Sequence, residues 1–384
     1  MIHGGEPSRP NTRQSPGRFQ LFSGLFDSRT GATPTDRRHY HVIDLLRGLA
    51  ACAILFWHYQ HFIALGMASE GSRVTYPLYA IFWPFYEYGG TAVQLFWIVS
   101  GFIFSAVYAG TETQTKDFVR HRFARLYPLH FVTLLVVGGL QLIALSRFGR
   151  PLIYTHNDAL DFLLQLFMAS GWGLRDAFSF NGPVWSVSAE VLTYGLFWLT
   201  LRFLFRRGVL YPLIFAAVAL VVTRVTGSAV ASCFFYFYVG CALFAVHRGW
   251  ADSRLKQNVV AAACIAMSPI LGQVGQSGIG FLFLFSGLTL ACASAESRRL
   301  SRWARQVPWL ADNTYGSYLW HIPIQLMLLI LLDVAHIDRS IALGVPFLLL
   351  FLALVTLTAR ASFLWIESPA RQFINGRPRR EPSN

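Results

Sequence analysis

Asp44, Arg47 and His58 are ionisable side chains in a sequence that should be apolar. The stretch IDLLRGLAACAILFWHYQHF, from Ile43 to Phe62, is a helix-length apolar run with Asp44 and Arg47 at its start and His58 inside it. At about 100° and 1.5 Å per residue, Arg47 and His58 lie within roughly 20° of one face and about 16 Å apart along the axis, with Asp44 on the same side. A histidine so placed can accept a proton from a hydroxyl or act as a nucleophile, and an arginine can grip an anion. Ionisable groups inside a membrane segment are expensive, and function is the default reason for keeping them. The alternatives are interfacial anchoring for Arg47 and a hydrogen-bonded packing histidine for His58.

Other stretches offer partners. In NGPVWSVSAEVLTYG, residues 181–195, Glu190 opens an apolar run and Tyr194 follows one turn later on the same face. By helix rise, Glu190 lies about 8 Å from the outer surface and His58 about 10 Å, so the two can share a level. A carboxylate beside the imidazole would hold its tautomer and raise its basicity. The stretch DFVRHRFARLYP, residues 117–128, places Arg122 and Arg125 one turn apart with Arg120 close by. Guanidinium forks suit phosphate, although loop charge that merely orients the chain is the competing account. In WIVSGFIFS, residues 97–105, Ser100, Gly101 and Ser105 are small residues in a bulky helix, which lets another helix or a ligand come close. In TYGSYLWHIPI, residues 314–324, His321 precedes Pro323, whose missing N–H frees a backbone carbonyl. By span boundaries His321 falls nearer the inner face. Glu367, just before Pro369, reads as a cap or ion-pair partner at the end of the last apolar run.

These residues need a scaffold, and the composition describes it. Of 384 residues, 54% are hydrophobic and only 13% charged. A soluble chain of this length would need far more surface charge, so an all-α polytopic membrane helix bundle is expected. A spanning helix takes roughly 20 mostly apolar residues. About ten such runs occur: 45–65, 89–109, 126–145, 185–204, 209–223, 229–246, 257–273, 278–294, 314–332 and 341–363. The apolar run 158–171 is too short to cross and is expected at the interface.

With ten spans, 25 of the 32 Lys and Arg fall on the side of the termini and six on the other, which predicts cytoplasmic termini at every loop. The same arithmetic accounts for the net charge of +13 without nucleic acid. Residues 1–40 read as a disordered basic tail and 375–384 as a second cytoplasmic tail, flanking one transmembrane domain, 41–374. Cys52, Cys233, Cys241, Cys264 and Cys292 sit in apolar runs without ligand spacing, so neither a disulfide framework nor a zinc site is expected.

Taken in order, these motifs resemble the acyltransferase-3 family of bacterial membrane O-acyltransferases over roughly residues 41–374. The shared features are Arg47 and His58 in an Arg-x10-His arrangement, the SGF segment from Ser100 to Phe102, the RxxR pair Arg122 and Arg125, the WSxxxE segment Trp185, Ser186 and Glu190, the ninth span around Tyr318 and His321, and the terminal Glu-x-Pro. The spacing of Ser317, Tyr318 and His321 is tighter than the common pattern.

The resemblance implies an O-acetyltransferase of the bacterial inner membrane that uses acetyl-CoA and a carbohydrate or glycolipid acceptor, such as a lipid-linked O-antigen or exopolysaccharide unit. It needs no metal and no bound cofactor. His58, Glu190 and Arg47 are its expected catalytic residues. Asp44, Ser100, Trp185, Tyr194 and His321 are expected at the substrate, and Arg122 and Arg125, with Arg47, at the CoA phosphates. No hydrolase-like domain follows the last span, so a self-sufficient membrane enzyme is expected. A permease for acyl groups or glycolipids, and a scaffold in an export complex, are the rival readings.

Overall fold

The computed structural model describes residues 39–63, 73–296 and 299–376. The expected tail 1–40 therefore lies outside the described residues except for His39 and Tyr40, as does most of the tail 375–384. Every regular element among the described residues is helical. In chain order they are α1 (His41–His58), α2 (Tyr79–Tyr88), α3 (Ala92–Tyr108), α4 (Thr115–Phe148), α5 (Ala159–Leu166), α6 (Val184–Leu204), α7 (Leu210–Thr226), α8 (Ala229–Gly249), α9 (Arg254–Gln273), α10 (Ser277–Ala295), α11 (Arg299–Ala304), α12 (Pro308–Val334), α13 (Val345–Ser362) and α14 (Ser368–Asn375). Among the described residues, nine helical segments are long and apolar enough to cross a bilayer. The fifth expected span, 209–223, is α7, which is apolar but only 17 residues long. At 1.5 Å per residue that is about 25 Å, a little short of a typical hydrocarbon core.

α1 is the spine on which both ends of the site are built. It packs against α3, α10 and α12. Its first half, through Ile54, belongs to a core with α3, α6 and α8, and Leu55 to Phe62 belong to a second core with α12 and α13. The opening turn of a helix leaves N–H groups unpaired. Here the Val42 N–H is taken by Glu296 Oε2 at 3.0 Å, and Ser301 holds the other oxygen of that carboxylate at 2.8 Å. At the far end, α1 tightens into a 3-10 turn, Tyr59–Phe62.

The small residues expected to permit close approach do so. A Cβ on Gly101 of α3 would sit 1.9 Å from the Phe237 carbonyl oxygen of α8, and one on Gly240 would sit 2.0 Å from the Ile98 oxygen. Backbones in contact leave no room for a methyl group. Gly101→Ala is expected to cost about 1–3 kcal/mol or more by overpacking. The check is thermal unfolding in detergent: the variant should melt several degrees below wild type or lose its monodisperse state, and an unchanged melting curve would contradict the packing.

The short apolar run after residue 158 forms α5, capped reciprocally by Asp158 and Asp161. The Asp161 N–H and then Arg175 hold the Asp158 carboxyl below the ordinary carboxylate range. The five cysteines are free, buried or half-buried, in apolar surroundings.

Candidate functional site

The polar interior along α1 has two ends. The His58 ring lies 4.8 Å from that of His321 and 5.4 Å from that of His61, centroid to centroid. His61 joins because the helix tightens after His58: in a 3-10 turn, residues three apart eclipse one another. Gln325 stands one turn after His321 on α12. Its Nε2 donates to the His58 carbonyl oxygen at 2.9 Å, and its Oε1 accepts from His61 Nδ1 at 3.0 Å. A carbonyl only accepts, so this pair of bonds orients the Gln325 amide and protonates His61 at Nδ1.

The same logic assigns the other two rings. His58 Nδ1 is 3.0 Å from Ile54 O, and His321 Nδ1 is 2.7 Å from Tyr318 O, so in each neutral ring Nδ1 donates and Nε2 keeps its lone pair. His61 and His321 are 1% and 0% exposed, and their Nε2 atoms have no partner. His58 is half-buried, which makes it the accessible member of the three.

The proline in α12 has its expected consequence. Pro323 cannot donate to Leu319 four residues back, and the freed Leu319 oxygen accepts instead from Asn181 Nδ2 at 3.0 Å. That bond ties the 181–183 turn to the histidine helix. Beside it, Tyr318 and Ser186 hydroxyls lie 2.7 Å apart and Tyr318 donates to Pro183 O at 2.7 Å. Tyr154 lies against Gly182 on one side and 5.7 Å from the His61 ring on the other. Gln165 anchors the same turn, donating to Ser179 O at 2.9 Å. Asn181 Oδ1 and Gln165 Oε1 are themselves buried without a partner. Trp185 packs edge-on to Trp97 at 5.7 Å, in this wall.

The other end is a cluster of guanidinium groups. Arg47 Nη1 donates to Asp44 Oδ1 at 3.2 Å. Glu190 has the hydroxyls of Ser100 and Tyr194 as side-chain neighbours and faces Arg47 and Arg125. Its Oε1 is buried without a well-formed hydrogen bond. The Tyr194 ring stacks on Phe104 at 4.2 Å, and the Arg122 guanidinium lies over Phe104 at 4.7 Å. Among the described residues, neither Arg122 nor Arg125 has a carboxylate within ion-pair distance, while Arg47 has Asp44 and Arg371 has Glu367. Arg122 Nε is buried and unpartnered. Buried cations without full compensation are costly, which makes this end fit for an anion.

Two expectations are corrected. Glu190 was expected beside His58, but the described neighbours of His58 are His61, His321, Gln325 and Ile54, and Glu190 points to the arginines. Sharing a level fixes neither the direction a side chain points nor how far a long arginine reaches toward it, and a buried carboxylate is neutralised by a guanidinium rather than by a neutral imidazole. His321 was expected nearer the inner face but sits level with His58. The reason is length: α12 begins at Pro308, six residues before the apolar run at 314, which puts His321 near its middle.

His61, Gln325 and Asn181 were not singled out from sequence. The available signals were the three-residue step from His58 to His61, the one-turn step from His321 to Gln325, and the proline four residues after Leu319. As for metals, one group among the described residues has donor atoms close enough for an ion: those of His39, His41 and Asp44 lie within 4.8 Å of one another, with Asp44 already engaged by Arg47.

Comparison with known proteins gives a consistent picture. A family model described as an acyltransferase domain matches residues 40–364. The peptidoglycan O-acetyltransferase OatA of Listeria monocytogenes is 25% identical over 89% of this chain and 58% of its own length. The acyltransferase MdmB of Streptomyces mycarofaciens is 31% identical over 28% of the chain and 27% of its own. Nodulation protein 10 of Rhizobium leguminosarum is 28% identical over 41% of the chain and 42% of its own. The chain thus spans little more than half of the first relative and less than half of the other two. No solved structure matches significantly.

Proposed function

The chain belongs to this acyltransferase family, and on that premise we propose that it is a membrane O-acyltransferase which moves an acyl group, acetyl first among them, from cytoplasmic acyl-CoA to a hydroxyl of a carbohydrate acceptor. One observation carries the reading: α1 joins a guanidinium cluster to an imidazole cluster about 16 Å away along a single helix face. The extended pantetheine arm of CoA bridges a gap of this kind, with phosphates at one end and the thioester at the other. The arginine-rich loops support cytoplasmic termini, so the donor enters at Arg47, Arg122 and Arg125.

At the far end the acceptor hydroxyl meets His58. Its Nε2 removes the hydroxyl proton as the oxygen attacks the thioester carbon. A C–O bond forms, the C–S bond breaks, and the proton passes from imidazolium to the CoA thiolate. Four unpartnered atoms around this end are acceptors, His61 Nε2, His321 Nε2, Asn181 Oδ1 and Gln165 Oε1, against one unpartnered donor on the residue adjoining His321, Trp320 Nε1. Such a lining favours a ligand with several O–H donors, because an unmet buried acceptor is costly. Tyr154 and Trp185 supply the flat apolar walls against which a sugar ring packs. An acceptor carried on a lipid, in a bacterial inner membrane, suits this placement, and the named activities of the relatives lie in the same chemistry.

The test is transfer by purified protein in detergent. Given acetyl-labelled acetyl-CoA and the glycolipid fraction of the source membranes, it should release CoA thiol in step with base-labile acetyl ester. A transporter gives no transfer without a sealed compartment, and that outcome would sink the proposal.

A further inference from the structure

The family match ends at residue 364, but the guanidinium cluster does not. The last long helix passes from α13 through a π-helical turn, Phe363–Glu367, into α14. Turns of this type insert a residue into the helical register and recur at functional sites. Here the turn brings Glu367 inside, where it is 1% exposed. Its Oε2 accepts from Arg371 Nη2 at 2.8 Å. Arg371 in turn faces Arg125 of α4, which also acts on Glu367 together with Asp312. Tyr315 fills the space between, in the field of Glu367, Arg125, Glu190 and Arg371, and its hydroxyl donates to Leu126 O at 2.7 Å. The cluster on α1 and α4 is therefore continuous with α14.

A plain structural staple between Glu367 and Arg371 would be complete in itself. This one is not. Arg371 Nε and Glu367 Oε1 are buried and unpartnered. Arg125 stands beside Arg371 without a close carboxylate of its own, so two like charges face each other. An anion between them turns that repulsion into attraction, and the guanidinium fork suits phosphate oxygens.

Position selects which phosphate. The start of α13 is level with the histidines, since the Tyr59 hydroxyl donates to Ala342 O at 2.7 Å just before it. Arg371 lies at the opposite end of that helix, beyond the π turn. It is thus farther from His58 than Arg47 is. With the thioester at His58, the part of the donor that lies farthest away is its nucleotide end.

We propose that Arg371, held in place by Glu367, is a donor-binding residue that shares with Arg125 the 3′-phosphate of acyl-CoA; this rests on acyl-CoA being the donor. Glu367 is a positioning residue that aims the guanidinium.

The experiment compares acetyl-CoA with acetyl-3′-dephospho-CoA on purified wild type, Arg371→Ala and Glu367→Gln. Wild type should favour acetyl-CoA by about tenfold or more in kcat/KM, the scale of one charge-assisted phosphate contact. Arg371→Ala should bring the two donors level, and Glu367→Gln should narrow the gap in the same direction. Equal losses on both donors would overturn the proposal and leave Arg371 a helix staple. Should Arg371→Ala fail to fold, Arg371→Gln carries the same comparison. If wild type transfers from neither donor, the functional reading fails by itself, and binding of adenosine 3′,5′-bisphosphate decides the site: about tenfold tighter to wild type than to the Arg371 variant supports it, and equal binding overturns it.

Discussion

His58→Ala lowers acyl transfer by about a thousandfold, the middle of the range for removing a general base and equivalent to about 4 kcal/mol of barrier. The expectation rests on geometry. Of the three imidazoles, His58 is the half-buried one, and the Ile54 carbonyl holds its Nδ1–H so that Nε2 is free to take a proton. His61 and His321 are fully buried and 5.4 and 4.8 Å away. They pack beside His58 and cannot reach the same hydroxyl without moving. The loss should fall on kcat, because the proposed donor site lies at the other end of α1. Titration of CoA into the variant checks this: binding within a few-fold of wild type, with transfer nearly abolished, separates chemistry from folding. Transfer within tenfold of wild type would assign the base to another residue.

Arg47→Ala raises KM for acetyl-CoA by about a hundredfold, the scale for truncating one member of a buried charged network. Arg47 is the member of the guanidinium cluster on the same helix as His58, so under the proposed reading it would set the distance over which the donor is stretched. Its removal also leaves Asp44 and Glu190 short of a counter-charge, so thermal stability should fall along with affinity. Arg47→Lys separates the two effects: an ammonium keeps the charge balance and loses the planar fork. It should recover most of the stability and only part of the donor affinity. The check is KM measured beside melting temperature for both variants. Full recovery of KM by lysine would make Arg47 a simple charge rather than a phosphate fork.

Much of the scaffold was legible because membrane helices announce themselves by length. The ten apolar runs correspond one to one with nine spanning segments and α7, although the last run, 341–363, continues to Asn375. Gly101 was legible as a close-contact residue because a small residue in a bulky helix has few other uses. Arg47 and His58 stood out because charge inside an apolar run has to be explained. Glu367 reads from sequence as a cap or an ion-pair partner, and the structure has it in an ion pair with Arg371 at 2.8 Å.

What stayed hidden depended on direction and on helix ends. Asp312 and Asn313 lie inside α12 but break its hydropathy, so the apolar run begins only at residue 314 and hydropathy alone puts His321 too near one face. Asp312 is tolerated there because Arg360 stands 3.8 Å away, a partner 48 residues along the chain that hydropathy does not see. His61 joined the site only because α1 ends in a 3-10 turn, and nothing in the local sequence marks that change of pitch. The partner of Glu190 depended on which way two side chains point across three helices.

The central claim is that His58 carries acyl transfer onto a carbohydrate hydroxyl. Its most direct test is the ester-linked acetyl content of surface polysaccharide from cells lacking this protein, complemented with wild type or His58→Ala and read by NMR before and after mild base. The account predicts one base-labile acetyl signal that is lost with the protein and restored by wild type alone. Full restoration of that signal by His58→Ala, at matched protein level, would contradict it.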